Sequence, residues 1–401
     1  MIQDSILLLN KLDRVYSKYS KHLPRVSFSK EGDSFLKYLF RELINNEKQF
    51  NLEKKGFTKT VIDHLPKSSD YNYIHGSLRE TIEKSCPKKI QYTFALEHRN
   101  YSVFMCCPTN MSDDCIETRL KKMYMFLRIV NPYVSRNCSN SVHVYLYFIA
   151  TKKMLPTLSS DPIDQIHVNT AFTTTCQPHT NVHIFREEEW FRAFVHESFH
   201  NLGLDFILID DKLKNQMENR IKVIFKINIA DIRFYETYCE MWGELFNNMF
   251  ICHMNHNKLN AKMKALREIL MYEQLFSFMQ CVKILNHNKL KYEQLYLEHY
   301  AKQYNEKTQG FSYYILKCIL MSHVSQFIDF CALQHKDHSG YHYSVNFRKN
   351  MNTLTKYTQL IENNHDSVTM KNGISIMEKE LAKMKGFAKN TLRMSLIQLD
   401  C

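Results

Sequence analysis

Hydrophobic and polar positions recur along this chain with two different periods, and the changes of period mark out its elements. In the first 85 residues or so the period is helical and the composition polar. Phe35, Leu36, Leu39, Phe40 and Leu43 fall three and four apart, a stripe along one helix face. Tyr101–Cys107 is a short apolar and β-branched run stopped by Pro108, which predicts a strand. Asp113 and Asp114 then open a second helix with acid at its positive end, carrying Leu120, Met123, Tyr124 and Leu127 on to Pro132. Val142–Ile149 predicts another strand, within the most apolar stretch of the chain, closed by Lys152, Lys153 and Pro156. Residues 166–173 are β-prone, and Val182–Phe185 predicts a further short strand. Three acids, Glu187, Glu188 and Glu189, precede a helix whose buried stripe is Trp190, Phe191, Phe194, Val195, Phe199 and Leu202; Gly203 stands where it would end.

The order strand, helix, strand, strand, strand, helix predicts an α+β fold. Beyond residue 215 the pattern is largely helical to the end. The expected organisation is a helical N-terminal extension over 1–88, a core carrying the chemistry over 89–250 and a helical C-terminal subdomain over 251–401. Asn255–Leu259 recurs at Asn286–Leu290, and Tyr-Glu-Gln-Leu occurs at 272–275 and 292–295. The two spacings differ, so this is composition bias and not a repeat array.

Composition narrows the class. The chain has 401 residues, 44% of them hydrophobic, enough for a sizeable core. Only 9 Gly and 8 Pro argue for long helices over a loop-rich design. The net charge of +12 is spread along the chain without a basic block, so solubility explains it better than a nucleic-acid surface does. The 12 cysteines include no C-x-x-C pair, which excludes zinc ribbons and thioredoxin-like motifs; reduced thiols in a cytosol-like compartment are expected. The N-terminus lacks a basic region, and Ile6–Leu9 is too short for a signal core, so the sequons at Asn100, Asn110 and Asn137 carry no expectation of glycosylation. No apolar run reaches the length of a membrane span.

The segment His196-Glu197-Ser198-Phe199-His200 changes the picture. Four residues are about one helical turn, so both imidazoles leave one face and can converge on one ion. Imidazole suits Zn²⁺, and Glu197 lies where it can take a proton from a water on that ion. Two surface histidines on a structural helix are the bland alternative. The position late on an amphipathic helix, just after an edge strand, favours the metal. A catalytic zinc needs a third protein ligand. The best source is the segment Phe234–Glu244, where apolar residues at 234, 235, 238, 241 and 242 bury the helix and Glu236 and Glu240 share a face. Like charges at that spacing cost about 0.2–0.5 kcal/mol even when exposed. A metal at one carboxylate and a histidine N–H at the other would remove that cost; a solvated acidic stripe including Glu244 is the alternative. Asp205 competes for the third position. It stands one residue before the point at which the metzincin pattern returns a ligand (Phe206 here), which favours a helix-end or supporting role.

The runs Asn181–Phe206, Glu236–Trp242 and Gly310–Lys317 resemble the zinc metallopeptidase family of nucleocytoplasmic large DNA viruses, over roughly residues 90 to 330. More broadly they are similar to gluzincins, where H-E-x-x-H is completed by a glutamate on a following helix. The resemblance implies a zincin-like core with a small mixed sheet and an active-site helix. It implies Zn²⁺ held by His196, His200 and Glu236, with Glu197 as general base and Glu240 in the place of the acid that orients the first histidine. This chain has Glu at 240 where the gluzincin pattern has Asp, and a longer interval from His200 to Glu236. The implied activity is a zinc metalloendopeptidase acting on polypeptide in the host cytoplasm or the virion.

If the site forms, the strand around Asn169, Thr170 and Ala171 can present an edge to which a peptide adds. Tyr313 and Tyr314 are candidate donors to a developing oxyanion. His253 with His256, and His335 with His338 and His342, have metal-like spacings but lie in polar segments without a nearby acid, and are not expected to bind metal. There is no phosphate-cradling Gly loop and no G-x-S-x-G. Two alternatives stand beside the peptidase. One is a basic interaction or virion protein that keeps the fold without turnover, against which the presence of Glu197 argues. The other is a metal-dependent hydrolase of a non-peptide substrate.

Overall fold

The computed structural model describes residues 1–401 apart from 24, 67, 159 and 337–341, so His338 lies outside the described residues. The chain is a mixed α+β protein. Its strands are β1 (Thr58–Val61), β2 (Lys88–Leu96), β3 (Arg99–Cys107), β4 (Ser141–Tyr147), β5 (Ile163–Asp164), β6 (Ala171–Thr173), β7 (His179–Ile184) and β8 (Glu306–Lys307). Its helices are α1 (Gln3–Tyr19), α2 (Lys30–Glu53), α3 (Gly76–Ser85), α4 (Asp113–Val130), α5 (Gln165–Val168), α6 (Trp190–Asn201), α7 (Asp211–Ile224) and α8 (Phe234–Asn255). They continue with α9 (Leu259–His287), α10 (Glu298–Ala301), α11 (Lys317–Ser322), α12 (Val324–Gln334), α13 (Met351–Asn364), α14 (Val368–Leu381) and α15 (Phe387–Asn390).

Six strands form one sheet in the order β1-β2-β3-β4-β7-β6. The β3–β4 and β4–β7 pairs are parallel, and the outer pairs are antiparallel. Strand alternation sends Val103, Met105, Val144 and Leu146 into the main core, and Phe104, Cys106, Tyr145 and Tyr147 into a smaller cluster capped by Leu78 and Ile82 of α3. Burial on both faces is why these strands read as unbroken apolar runs. The main core is continuous from Leu8 to Ile397, so all three expected segments contribute to it, and position 250 lies within α8. No single helix among the described residues is long and apolar enough to cross a membrane.

The structure departs from the sequence reading in four places. The first 88 residues are not wholly helical: Thr58–Val61 adds to β2 as an exposed edge strand. β2 itself alternates Ile90, Tyr92, Phe94 and Leu96 inward, a period of two interrupted by polar residues. Residues 166–168, read as strand, belong to the short helix α5, and the edge strand β6 starts only at Ala171. The chain does not stay helical to its end: Thr391–Ile397 runs extended and buried between helices.

The cysteines also differ from expectation. Cys115–Cys401 and Cys138–Cys176 are joined as disulfides, while the others are free and buried. Partners separated by 286 and 38 residues leave no local spacing to read.

The three acids before α6 are anchors and not a solvated first turn. Glu187 pairs with Arg119, and Glu188 accepts the Lys153 backbone N–H at 2.6 Å. Glu189, at φ 59° just before the helix, pairs with the buried Lys153. It also accepts the backbone N–H of Met394 at 2.9 Å, which ties the extended tail to the start of α6. Glu273 on α9 holds the next turn of the tail through the Leu396 N–H at 2.9 Å. Glu189→Ala would leave Lys153 buried without its counterion; we expect a loss of about 3–5 kcal/mol of stability, read from urea unfolding of the variant beside the unsubstituted chain.

Candidate metal centre

The amphipathic face of α6 is a ladder with a spacing of four. Arg192, His196 and His200 follow one another up the side that meets α8, while Phe194, Val195 and Phe199 are buried among apolar neighbours. The helix ends as Gly203 predicts. Gly203 takes φ 61°, its N–H bonds His200 O at 3.0 Å, and the Leu204 N–H bonds Phe199 O at 2.8 Å. The turn carries Asp205 back beneath the helix, where Oδ2 lies 2.5 Å from His200 Nδ1.

Helix α8 brings the acids. Glycine at 243 eases the approach: a Cβ there would stand 3.0 Å from the Arg192 carbonyl oxygen, tighter than an ordinary contact, and 3.7 Å from His196 Cβ. At that separation three donors converge. His196 Nε2 lies 3.0 Å from Glu236 Oε2, His200 Nε2 lies 3.2 Å from the same oxygen, and the two Nε2 atoms are 3.1 Å apart. Four ligands at about 2.0–2.1 Å in a tetrahedron have edges of about 3.3 Å. The observed triangle is within a few tenths of that, and its nitrogen and oxygen donors suit a borderline ion such as zinc. Glu236 is the acid whose oxygen meets both Nε2 atoms, whereas Asp205 meets the far nitrogen of His200.

Behind each imidazole stands a carboxylate. Glu240 Oε1 is 2.9 Å from His196 Nδ1, close in distance though not aligned for a full hydrogen bond. Asp205 accepts from His200 Nδ1. An Nδ1–H held this way leaves the Nε2 lone pair facing the centre. Glu240 is in turn held by Arg192 Nη1 at 2.5 Å, and Lys317 Nζ lies 3.8 Å from Glu240 and 2.7 Å from Glu244. Glu244 is fully buried, so the solvated acidic stripe is not what forms. Arg192, Lys317 and Gly243 escaped the sequence reading. The spacing of four from Arg192 to His196 was the available signal. Cys239 also packs here, its Sγ 3.5 Å from Asp205 Oδ2 and 3.7 Å from His200 Nδ1. Burial holds that thiol well above its usual pKa, and the ligand atoms of His200, Asp205 and Cys239 lie close enough together to form a second candidate group behind the first.

The triad opens on a cleft of about 710 Å³. Glu197 lines it, beside Tyr235, Tyr313 and the edge strand. Burial raises the Glu197 pKa; the two histidines oppose this, and Glu236 and Glu240 add to it. Tyr313 sits on a π-helical segment, Phe311–Leu316, and its hydroxyl lies 3.3 Å from Glu236 Oε2. Tyr314 must be withdrawn as a transition-state donor: one residue on, its hydroxyl points away and donates to Leu392 O at 2.6 Å.

The edge also needs correction. Asn169 and Thr170 lie before β6, and their carbonyls already accept from Arg186 Nε at 3.0 Å and Phe185 N–H at 2.9 Å. Bonds at Thr170–Phe185 and Thr174–Asn181 make Phe172–His183 the hydrogen-bonded pair between them. Ala171 and Thr173 therefore turn their N–H and C=O groups to the open edge. The remaining histidine groups form no centre among the described residues: His253 bonds Glu47 at 2.8 Å, and His335 lies by the Tyr238 hydroxyl at 3.3 Å.

Burial alone would lower the His196 pKa, but the neighbouring carboxylates of Glu236 and Glu240 outweigh it and raise it to about 9. His200 is likewise raised, and Glu236 is held well below the usual carboxylate range by the two histidines despite its burial. No family model, no curated protein and no solved structure matches this chain.

Two outcomes follow from this geometry. The His196 pKa is raised on folding, so its contribution to the stability of the ion-free protein is full below about 6.5 and is lost as pH climbs through about 9. An added Zn²⁺ taken up by this group would compete with that proton, so its apparent affinity should rise across the same window, with proton release measurable by calorimetry in buffers of different ionisation enthalpy. Gly243→Ala should force α8 away from α6, costing about 1–3 kcal/mol in chemical denaturation and weakening zinc binding.

Proposed function

We propose that this chain is a zinc-dependent metallopeptidase with a zincin-like core of gluzincin type. The observation that carries the reading is the buried triangle His196, His200 and Glu236, with Glu197 at its open side and a carboxylate behind each imidazole. When bound, zinc would supply a Lewis acid for a carbonyl oxygen and acidify a water. His196, His200 and Glu236 would hold it, and the donors match its preferences.

The chain's own residues do the rest. Glu197 stands where it can take a proton from a water in the cleft, and burial, by raising its pKa, strengthens it as a base. The oxygen of that water bonds to the carbonyl carbon as Glu197 takes its proton, and the proton then goes to the leaving nitrogen as the C–N bond breaks. Tyr313 can turn its O–H from Glu236 toward the oxygen of a tetrahedral intermediate. A polypeptide substrate would lie along β6, where Ala171 and Thr173 offer backbone donors and acceptors beside the cleft. That open edge, flanking the triangle, is what favours a peptide over a non-peptide substrate.

Glu197→Gln should keep stoichiometric zinc and lose hydrolysis of a peptide library by about 10²–10⁴-fold, whereas His200→Ala should lose both metal and activity. Elemental analysis beside a chelator-sensitive cleavage assay separates the two. Equal turnover by Glu197→Gln and the unsubstituted chain would sink the mechanism.

A further inference from the structure

The open edge of β6 separates two cavities. One is the cleft over His196 and His200. The other, about 510 Å³, lies on the opposite face of the sheet against α3 and the segment before it. Ala171, Phe172 and Thr173 line both. The faces of the strand divide them. Thr173 turns toward α6, accepting from Asn201 Nδ2 at 3.0 Å, and Ala171 borders a small hollow with His196 and Glu197. Phe172 points the other way, stacked 4.8 Å from His183 and meeting Tyr73 edge-on at 5.9 Å.

The walls of this second cavity are mixed: Tyr73, Leu78, Ile166, Phe172 and Phe185 make its apolar part, and Asp70, His75, Asp164 and Gln165 border it. Tyr73 is 76% exposed, an aromatic ring held over open space. A strand added to β6 must alternate its side chains. Residues opposite Ala171 and Thr173 face the metal cleft, and the residue opposite Phe172 faces the α3 side. A single extended chain therefore fills both cavities at once, with one side chain entering the α3 cavity between two that enter the cleft.

We propose that the α3-side cavity is a specificity pocket for a bulky apolar or aromatic side chain of an extended polypeptide, with Tyr73, Leu78, Phe172 and Phe185 as its determinants. This rests on the peptidase reading of the neighbouring cleft. It selects substrates by alternation: a large apolar residue flanked on both sides by residues whose side chains the cleft receives.

The test uses the zinc-loaded full chain and a positional library of labelled decapeptides. Binding to Glu197→Gln is read by fluorescence anisotropy, and cleavage by the unsubstituted chain is read by mass spectrometry. Phe or Leu should exceed Gly at one position by at least about tenfold in both readouts. Tyr73→Ala, which alters an exposed residue, should cut that preference severalfold and leave its neighbours' preferences unchanged. Ile166→Trp, which fills the cavity, should shift the preference toward small side chains. Cleavage with no such preference, or a preference that neither substitution moves, overturns the pocket and leaves the peptidase reading standing. Neither binding nor cleavage of any peptide removes the peptidase reading, and the pocket with it.

Discussion

Helices α6 and α8 are pressed together so closely that a Cβ at residue 243 would crowd the Arg192 carbonyl, and the ionisable groups they carry are sealed between them. In a medium of low polarity, acids one turn apart on α8 would repel strongly. The contact is tolerable because opposite charges interleave. Arg192 binds Glu240, and Lys317 lies by Glu240 and binds Glu244. The pattern breaks only at Glu236. Its carboxylate faces His196 and His200, with no Lys or Arg bonded to it among the described residues. Its charge can be balanced by a proton on the imidazoles or by a bound cation, and these two states exclude each other. The raised histidine and the lowered glutamate are the ion-free form of that balance.

The same contact orients the rings. Glu240 and Asp205 reach the Nδ1 atoms from opposite directions, one from α8 and one from the turn after α6. Both ends of α6 are fixed as well. The Gly203 turn closes its C-terminus, and Glu189 ties its N-terminus to the chain's final residues. Helix position, ring orientation and donor convergence are thus one property of the packing, and the distant tail is part of it.

The sheet matters to the site through its last strand. β6 is only three residues long, bonded to β7 on one side and open on the other. Its register decides which backbone groups face outward, and its pleat decides which side chains face α6 and which face α3. A one-residue slip would exchange the two sets. The bonds flanking Phe172 fix that register.

Much of this was legible in the residues themselves. The spacing of His196 and His200 places two imidazoles on one helix face whatever the fold. Glu236 and Glu240 announce themselves as acids in an otherwise apolar helix, and Gly203 ends α6 because local backbone geometry demands it. These are short-range facts, set by helical periodicity and steric rules that act within a few residues. Other features depend on which distant segments meet. Tyr313 and Tyr314 are indistinguishable by composition, and their successive places on a π-helical turn send one to Glu236 and the other to Leu392. Asp205 and Glu236 were both plausible third donors; the packing of α8 put one at the Nε2 atoms and the turn put the other at Nδ1. The disulfides, the extended tail and the exact start of β6 likewise follow from long-range contacts. The order of residues alone fixes which groups can do chemistry. Tertiary packing determined which of them converge, because convergence is a matter of a few tenths of an ångström between helices some forty residues apart in the chain.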